Sequence, residues 1–520
     1  ALSRVTLDDG RKAQNPDPAR HPDGADFTLT NRFRGGDHLT GLNGVVDYSY
    51  GAYVIQPTAG ATYTSVNPRT ATPDPVGGTM TVGPFNVLNY FTTLGSRGAD
   101  DPEEFERQRT KIFAALADID ADVFGLIEIE NNTEAIVDLV DGLNGVVGAG
   151  TYDYIDTGAI GGDQIKVAFI YKTATVAPDG AYAVLDDPSF LDPNNLGSDK
   201  NRPALAQTFV EIATGEKVTV AVNHLKSKGS ECGPGDDDAE QGHCNLTRTL
   251  AAGVLVDWLA GDPTGSGDPD ALIIGDLNSY DREDPIDAVR AGPDDTPGTA
   301  DDYADLVAAY GGEYAYSYVY SGQWGYLDYA LANGTLGGQV TGTTVWHINA
   351  DEPDILDYDT TYKKPAQDAL YEPNAYRSSD HDPVVVGLRL DTVAPELAVT
   401  ATPDMLWPPN HRYRDVTVDV VATDNSRSVT VELVSVTSSE ADCCIRRHDR
   451  PDDIVIVDDT TFRLRAERYS HAGRTYTLTY RAVDAAGNET TATAEVTVPH
   501  SRRHLHRWCR VWYRRGHWAS

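Results

Sequence analysis

The sequence predicts a multidomain α/β protein in which an α/β core is carried between two β-rich segments, and three observations lead there. Apolar runs of four to eight residues, rich in Val, Ile, Tyr or Phe, alternate with helical patterns from Met80 to Leu390. Short alternating runs broken by Gly, Asn and Pro fill residues 1–66, and a two-residue alternation returns over 391–499. At 520 residues the chain is long enough to bury a large core and still carry accessory modules.

Taken in order, residues 1–66, with GVVDYSYGAYVIQP, predict part of a small β module. The stretch NPRTATPDPVGG predicts a linker over 67–79. The core, 80–390, starts with a well-marked helix. Asp101 can cap it, Pro102 sits in its first turn, Glu104 stands at capping-box spacing, and Phe105, Ile112, Phe113 and Leu116 share one apolar face. DVFGLIEIE follows from Asp122, and then KVAFIYK, KVTVAVNHL, ALIIGDLNS, GYLDYALAN and DPVVVGLRL read as buried strands whose ends carry polar side chains. After Asp391, TVAPELAVTATP opens and YTLTYRAVDAAGNETTATAEVTV closes a segment with the alternation of an immunoglobulin-like β-sandwich. The last stretch, 500–520, has no acidic residue and many Arg, His and Trp; a basic tail and an extraneous end fit it equally.

The formal charge of -37, from 79 acidic and 42 basic residues, repels anionic polymers unless cations or local basic patches intervene. Taken alone, it argues against nucleic-acid binding. Among the five cysteines, Cys232 and Cys244 bracket GPGDDDAEQGH with no Cys-x-x-Cys spacing, which favours a structural disulfide over zinc. Cys443 and Cys444 are adjacent, an awkward geometry for mutual pairing, and Cys509 has no evident partner. No apolar run approaches the ~20 residues that span a bilayer, so no membrane insertion is expected. Residues 1–20 lack the basic-then-apolar layout of a secretion signal. Two Asp-rich loops, at Asp236 and from Pro293, are candidates for structural Ca2+, although neither has the spacing of the twelve-residue calcium loop.

Polar residues recur where the apolar strands end, which is where α/β folds place their active sites. They are Asn86 in PFNVLNYF, Glu128 in GLIEIENN, His224 in VNHLKSKG, Asp276 and Asn278 in IIGDLNSY, Asp328 in GYLDYAL, and Asp380 with His381 in SSDHDPVVV. Any one of them alone is commonly a turn or surface residue. Their order and joint presence carry the signal.

This set resembles the endonuclease/exonuclease/phosphatase superfamily, which includes deoxyribonuclease I, over about residues 80–390. FNVLNYFTTLG, LIEIENN, NRPALAQTF, VNHLKSKGSEC and NLTRTLAA look like its bacterial extracellular nuclease branch, in which a module similar to an oligonucleotide-binding barrel precedes the catalytic domain. The resemblance implies a two-sheet α/β sandwich of the deoxyribonuclease I type. It implies a Mg2+ or Mn2+ site at Asn86, Glu128 and Asp380, whose hard oxygen donors suit those ions. Asp276 and Asn278 match the pair that orients water and holds phosphoryl oxygens, and His381 with Asp328 matches the catalytic histidine and its carboxylate. His224 matches a second histidine that protonates the leaving 3′ oxygen, with Asp163 as the nearest candidate partner. Arg202, Lys226 and Arg248 become phosphate-binding candidates, with Lys228, Lys363 and Lys364 adding to a basic path.

The implied protein is a secreted or cell-surface metal-dependent nuclease that cleaves DNA, with RNA as an alternative substrate of the same chemistry, leaving 5′-phosphate ends. No protein partner is predicted. A phospholipid diesterase of the sphingomyelinase kind shares the same positions, and an inert adhesin is the alternative outside enzymology.

Overall fold

A computed structural model describes residues 4–11, 13–49, 51–426, 428–441 and 452–501. Cys443, Cys444, Cys509 and the tail from 502 onward lie outside the described residues. The chain forms two units, one of residues 1–212 with 216–390 and one of 213–215 with 391–520.

The first unit is built on two six-stranded sheets. Its strands are β1 (Met80–Tyr90), β2 (Val123–Glu130), β3 (Tyr152–Tyr154), β4 (Ile165–Lys172), β5 (Val176–Leu185), β6 (Ala204–Glu211), β7 (Lys217–His224), β8 (Ala271–Asp276), β9 (Tyr303–Asp305), β10 (Asp328–Asn333), β11 (Val340–Val345) and β12 (Val384–Leu388). One sheet runs β11-β12-β1-β2-β4-β3 and the other β5-β6-β7-β8-β10-β9. β1 pairs in parallel with β2, and β7 with β8; the other pairings are antiparallel.

Strand alternation assigns the faces. Val123 and Ile127 of β2 join the cluster that includes Val220, Val222, Leu272 and Ile274 of the other sheet, whereas Phe124 and Leu126 turn outward onto Ile112, Leu116, Ile136 and Leu139. The sheets come close at Gly125, where a Cβ would lie 2.5 Å from Ile274 Cδ1, so a side chain there would push the layers apart. The outward face is covered by α1 (Pro102–Ile119) and α2 (Thr133–Val147). Asp101 accepts from the Glu103 and Glu104 amides and so caps α1, an interaction worth ~1 kcal/mol. Glu104 does reach back, but to the Asp100 amide at 2.8 Å rather than to the cap residue. On the second sheet, α3 (Asn245–Ala260) packs through Ala251, Leu255 and Leu259.

Residues 1–79 are not a detachable module followed by a free linker. They carry a three-stranded sheet and a two-stranded one, and Phe27 shares a small core with Leu356 and Leu370. Arg34 and Arg69 both ion-pair with the buried Glu352, at 2.7 and 2.6 Å, and Trp346 Nε1 donates to Thr70 Oγ1. The Asn67 stretch is therefore held along the α/β core.

The second unit contains β13 (Glu396–Thr402), β14 (Tyr413–Thr423), β15 (Val429–Ser438), β16 (Ile454–Ile456), β17 (Thr461–Arg465), β18 (Arg474–Asp484) and β19 (Glu489–Val498). They form antiparallel sheets β13-β14-β17-β16 and β15-β18-β19 around Val416, Phe462, Leu464, Tyr476, Leu478 and Val496. Among the described residues, no helix is long and apolar enough to cross a membrane.

Candidate active site

Three adjacent strands of the second sheet place polar side chains in one row. β7 ends at His224, which pairs in register with Asp276 at the end of β8, and Asp276 pairs in turn with Asp328 at the start of β10. Gly275, at φ +124°, makes this close crossing feasible, since a Cβ there would lie 2.1 Å from the Asn223 carbonyl oxygen.

The first sheet contributes from two strands that break register. The β1–β2 ladder is interrupted between Asn86 and Tyr90, and the β2–β4 ladder between Leu126 and Ile129. Glu128 lies inside the second break with φ 66°, a left-handed conformation that costs energy in a residue with a Cβ. The bulge re-aims its carboxylate, which comes within 3.9 Å of His224 Nε2.

His381 enters from the loop before β12. Its Nδ1 lies 2.8 Å from Asp328 Oδ2, and its Nε2 lies 3.9 Å from Asp276 Oδ2. His224 Nε2 is 3.6 Å from the same Asp276 oxygen. The other Asp276 oxygen accepts from the Asn278 amide at 2.8 Å, while Asn278 Nδ2 donates to the Leu225 carbonyl at 3.0 Å. Asn86, Glu128, His224, Asp276, Asn278, Asp328, Asp380 and His381 thus gather at one end of the two sheets.

The environment drives the two histidines in opposite directions. Burial pulls the His381 imidazole down, but Asp328, Asp380 and Asp276 outweigh it and hold it well above its ordinary value. Burial, reinforced by Arg202 and His381, pushes His224 well below its ordinary value. Burial lifts Asp276 to about 7 against the pull of His381, with Asp328 adding to the rise. Glu128 is raised by burial and by Asp380 beside it. The Glu128 and Asp380 carboxylates, with the Asn86 amide beside Glu128, form a hard-oxygen donor set. The Asn86 amide nitrogen is buried and makes no well-formed hydrogen bond. These residues fit a small divalent cation.

Several sequence expectations require correction. Asp163 does not partner His224: it ion-pairs with Arg202 at 2.8 Å, and His224 Nδ1 is buried without a hydrogen bond. Arg248 is not open to a substrate. It is fully buried, with Nε donating to Ser279 Oγ at 3.0 Å and Nη1 to the Lys226 and His243 carbonyls. It braces the loop after His224. Lys228 is occupied by Glu283 and Lys363 by Asp357, so the basic path is thinner than the lysine count suggests. Arg202 and Lys226 do lie at the site, and both lower the His224 pKa.

Cys232 and Cys244 form a disulfide. Asp236 inside that loop is buried and accepts from the Thr247 amide at 2.8 Å and from the Thr247 hydroxyl, closing the first turn of α3. In the Pro293 loop, Asp294, Asp301 and Asp302 accept from their own turn's amides.

Four contributors escaped the sequence reading. Ser317 donates to Asp328 Oδ2 at 2.6 Å, and the Tyr318 ring lies 4.5 Å from that of His381. Asn349 clamps the catalytic loop by accepting from the Ser378 and Ser379 amides and donating to the His381 carbonyl. Asp382 accepts from the Asn349 and Ala350 amides. The run of alternating Tyr, Ser and Val at 316–320 could have flagged the first two as a strand beside the site, but Asn349 carries no local signal.

Residues 85–381 match the model of the Endonuclease/Exonuclease/phosphatase family. No curated protein matches the sequence. Similar solved structures include an endonuclease/exonuclease/phosphatase from Bacteroides vulgatus, 14% identical with a TM-score of 0.38, covering 60% of this chain and 99% of that one. The human Nocturnin catalytic domain is 14% identical with a TM-score of 0.39, covering 60% of this chain and 96% of that one. A Bacteroides thetaiotaomicron mannosyl-6-phosphatase is 19% identical with a TM-score of 0.39, covering 59% of this chain and 99% of that one.

Proposed function

The chain belongs to the endonuclease/exonuclease/phosphatase family, and from that premise we propose that it is a secreted, metal-dependent nuclease that hydrolyses the phosphodiester bonds of DNA. The observation that carries the chemistry is the His381–Asp328 pair at 2.8 Å, facing Asp276 from the end of the neighbouring strand.

Asn86, Glu128 and Asp380 would hold the cation, which when bound would offset the phosphate charge. Asp276, poised near neutrality, takes the proton of the attacking water as its oxygen bonds to phosphorus and the bond to the 3′ oxygen breaks. The Asn278 amide group and the His381 imidazolium stabilise the charge that gathers on the phosphoryl oxygens. Because His224 is held neutral and His381 charged, the proton for the departing oxygen is assigned to His381 rather than to His224. The products are a 5′-phosphate and a 3′-hydroxyl.

Binding of DNA is supported by the hairpin Tyr318–Tyr320 and Gln323–Gly325. Tyr318 and Tyr320, two residues apart, share one face of it; Tyr318 packs on His381, and Tyr320 is 63% exposed, extending an aromatic surface outward on which a base can stack. Lys226, which has no acidic partner among the described residues, supplies a cation for the backbone, and Arg202, paired with Asp163, adds to the local positive field. Secretion is supported by the Cys232–Cys244 disulfide, which the cytosol would reduce. We read the C-terminal unit as an immunoglobulin-like accessory sandwich.

The test offers supercoiled plasmid and sphingomyelin vesicles side by side, with Mg2+, Ca2+ or chelator. Plasmid nicking that stops with chelator is expected. Rapid vesicle hydrolysis with intact plasmid would overturn the DNA assignment and leave the site chemistry standing.

A further inference from the structure

Three loops of the C-terminal unit bring carboxylates together at one place. Asp391 opens the unit, Asp424 follows β14, and Asp484 ends β18; each offers a carboxylate oxygen, and these lie within 4.8 Å of one another. Asp391 and Asp484 are buried, at 1% and 7% exposure. Among the described residues, the hydrogen-bond donors to them are neutral. Asp391 Oδ1 accepts from the Val393 amide at 3.0 Å and from Asn425 Nδ2 at 3.2 Å, and Asp424 Oδ2 from the Ser426 amide at 2.9 Å. Asp484 Oδ1 accepts from the Asn488 amide at 2.8 Å and its Oδ2 from Asn488 Nδ2 at 2.9 Å.

Two oxygens are left over. Asp391 Oδ2 and Asp424 Oδ1 are sealed from solvent and accept no hydrogen bond. An unpartnered carboxylate oxygen on a residue 99% buried, as at Asp391, is costly, and three carboxylates close together repel one another. Neutral donors satisfy both oxygens of Asp484 but only one each of Asp391 and Asp424. A hard cation at the point where the carboxylates converge removes both costs at once.

We propose that Asp391, Asp424 and Asp484 form a calcium site that locks the loops at one end of the C-terminal unit. Calcium is chosen over Mg2+ because the donors are protein oxygens set by three separate loops, and Ca2+ tolerates such irregular, dehydrated cages whereas Mg2+ keeps its waters. Asn488 acts beside the ion: its Nδ2 also reaches the Asp391 carbonyl at 3.1 Å, tying the β18–β19 turn to the start of the unit. The site is separate from the one at Glu128 and does not depend on the assigned chemistry.

The experiment uses the full chain, stripped of metal and titrated with Ca2+ by calorimetry. Glu128→Gln/Asp380→Asn disables the catalytic cation site, and this variant should still bind a Ca2+ ion with a thermal transition that rises by several degrees. Mg2+ at equal concentration should produce a smaller rise. Asp424→Asn, at a half-buried position that keeps its amide partner, should weaken that Ca2+ binding at least ~10-fold, because charge count sets affinity in such sites. Introduced alone into the otherwise unchanged chain, Asp424→Asn should leave plasmid cleavage in Mg2+ at the level of the parent. The proposal fails if the Glu128→Gln/Asp380→Asn variant binds no Ca2+, or if Asp424→Asn, with unchanged circular dichroism, binds Ca2+ as tightly as its parent.

Discussion

Asp328 Oδ2 is shared between His381 Nδ1 at 2.8 Å and Ser317 Oγ at 2.6 Å, so one carboxylate oxygen holds both the orientation and the charge of the catalytic imidazole. The charged form of His381 is thereby built into the fold. Its folded-state value lies above the ~6.5 of an unfolded imidazole, so the pair stabilises the protein fully below that pH, and the contribution is lost as pH rises through the raised value.

The activity profile should follow the same charges. Turnover should rise as Asp276 ionises and fall when His381 loses its proton, giving a bell-shaped curve. Asp328→Asn should lower turnover by ~100-fold or more and move the alkaline limb to lower pH. An alkaline limb unmoved in this variant would remove His381 from the role of charged group.

His381→Ala, Asp276→Ala and Glu128→Ala should each reduce plasmid cleavage by at least ~100-fold with circular dichroism preserved. Glu128→Ala keeps the left-handed backbone but removes a carboxylate whose charged form is opposed by burial and by Asp380, so its thermal stability should equal or exceed that of the parent. Near-normal turnover in any two of the three would refute the site.

Tyr320→Ala should raise KM for DNA several-fold and leave kcat nearly unchanged, because losing a stacking face costs ~1–3 kcal/mol in binding and touches no reacting atom. Steady-state kinetics on a short duplex and on a small phosphodiester, which has no base to stack, separates the two readings. A matching KM rise on the small substrate would count against stacking.

Cys232→Ser with Cys244→Ser should cost about 2–3 kcal/mol by the chain-entropy model for so short a loop. The loss should fall mainly on the loop after His224, since Cys244 is the residue before α3 and Arg248 on that helix holds the Lys226 carbonyl. Urea unfolding with and without reductant measures it.

Much of the site was legible because its residues stand at the ends of apolar strands: GDLN, SDHD and VNHL each mark where a buried run meets polar side chains. The ladders of β7, β8 and β10 convert that linear rule into a single row. What the sequence hid depends on contacts between distant segments. Asp163 is the nearest candidate partner for His224 along the chain, yet an arginine 39 residues later claims it. Arg248 looked like a free cation, but its position on the inward face of α3 buries it. Asn349 works 32 residues before the loop it clamps, through an amide whose neighbours reveal nothing.

The pairing of Arg34 and Arg69 with Glu352 bears on where this protein can be cut. A minimal catalytic fragment beginning at Met80, the start of the first core strand, would leave a carboxylate with no exposed side-chain surface stripped of both its cations. Breaking a buried pair from one side costs roughly 3–5 kcal/mol, a large share of what holds an ordinary domain together. Such a fragment should express poorly or aggregate, whereas one that retains Arg20 to Thr79 should be recovered from solution. For the same reason, limited proteolysis should leave the N-terminal segment attached to the α/β core.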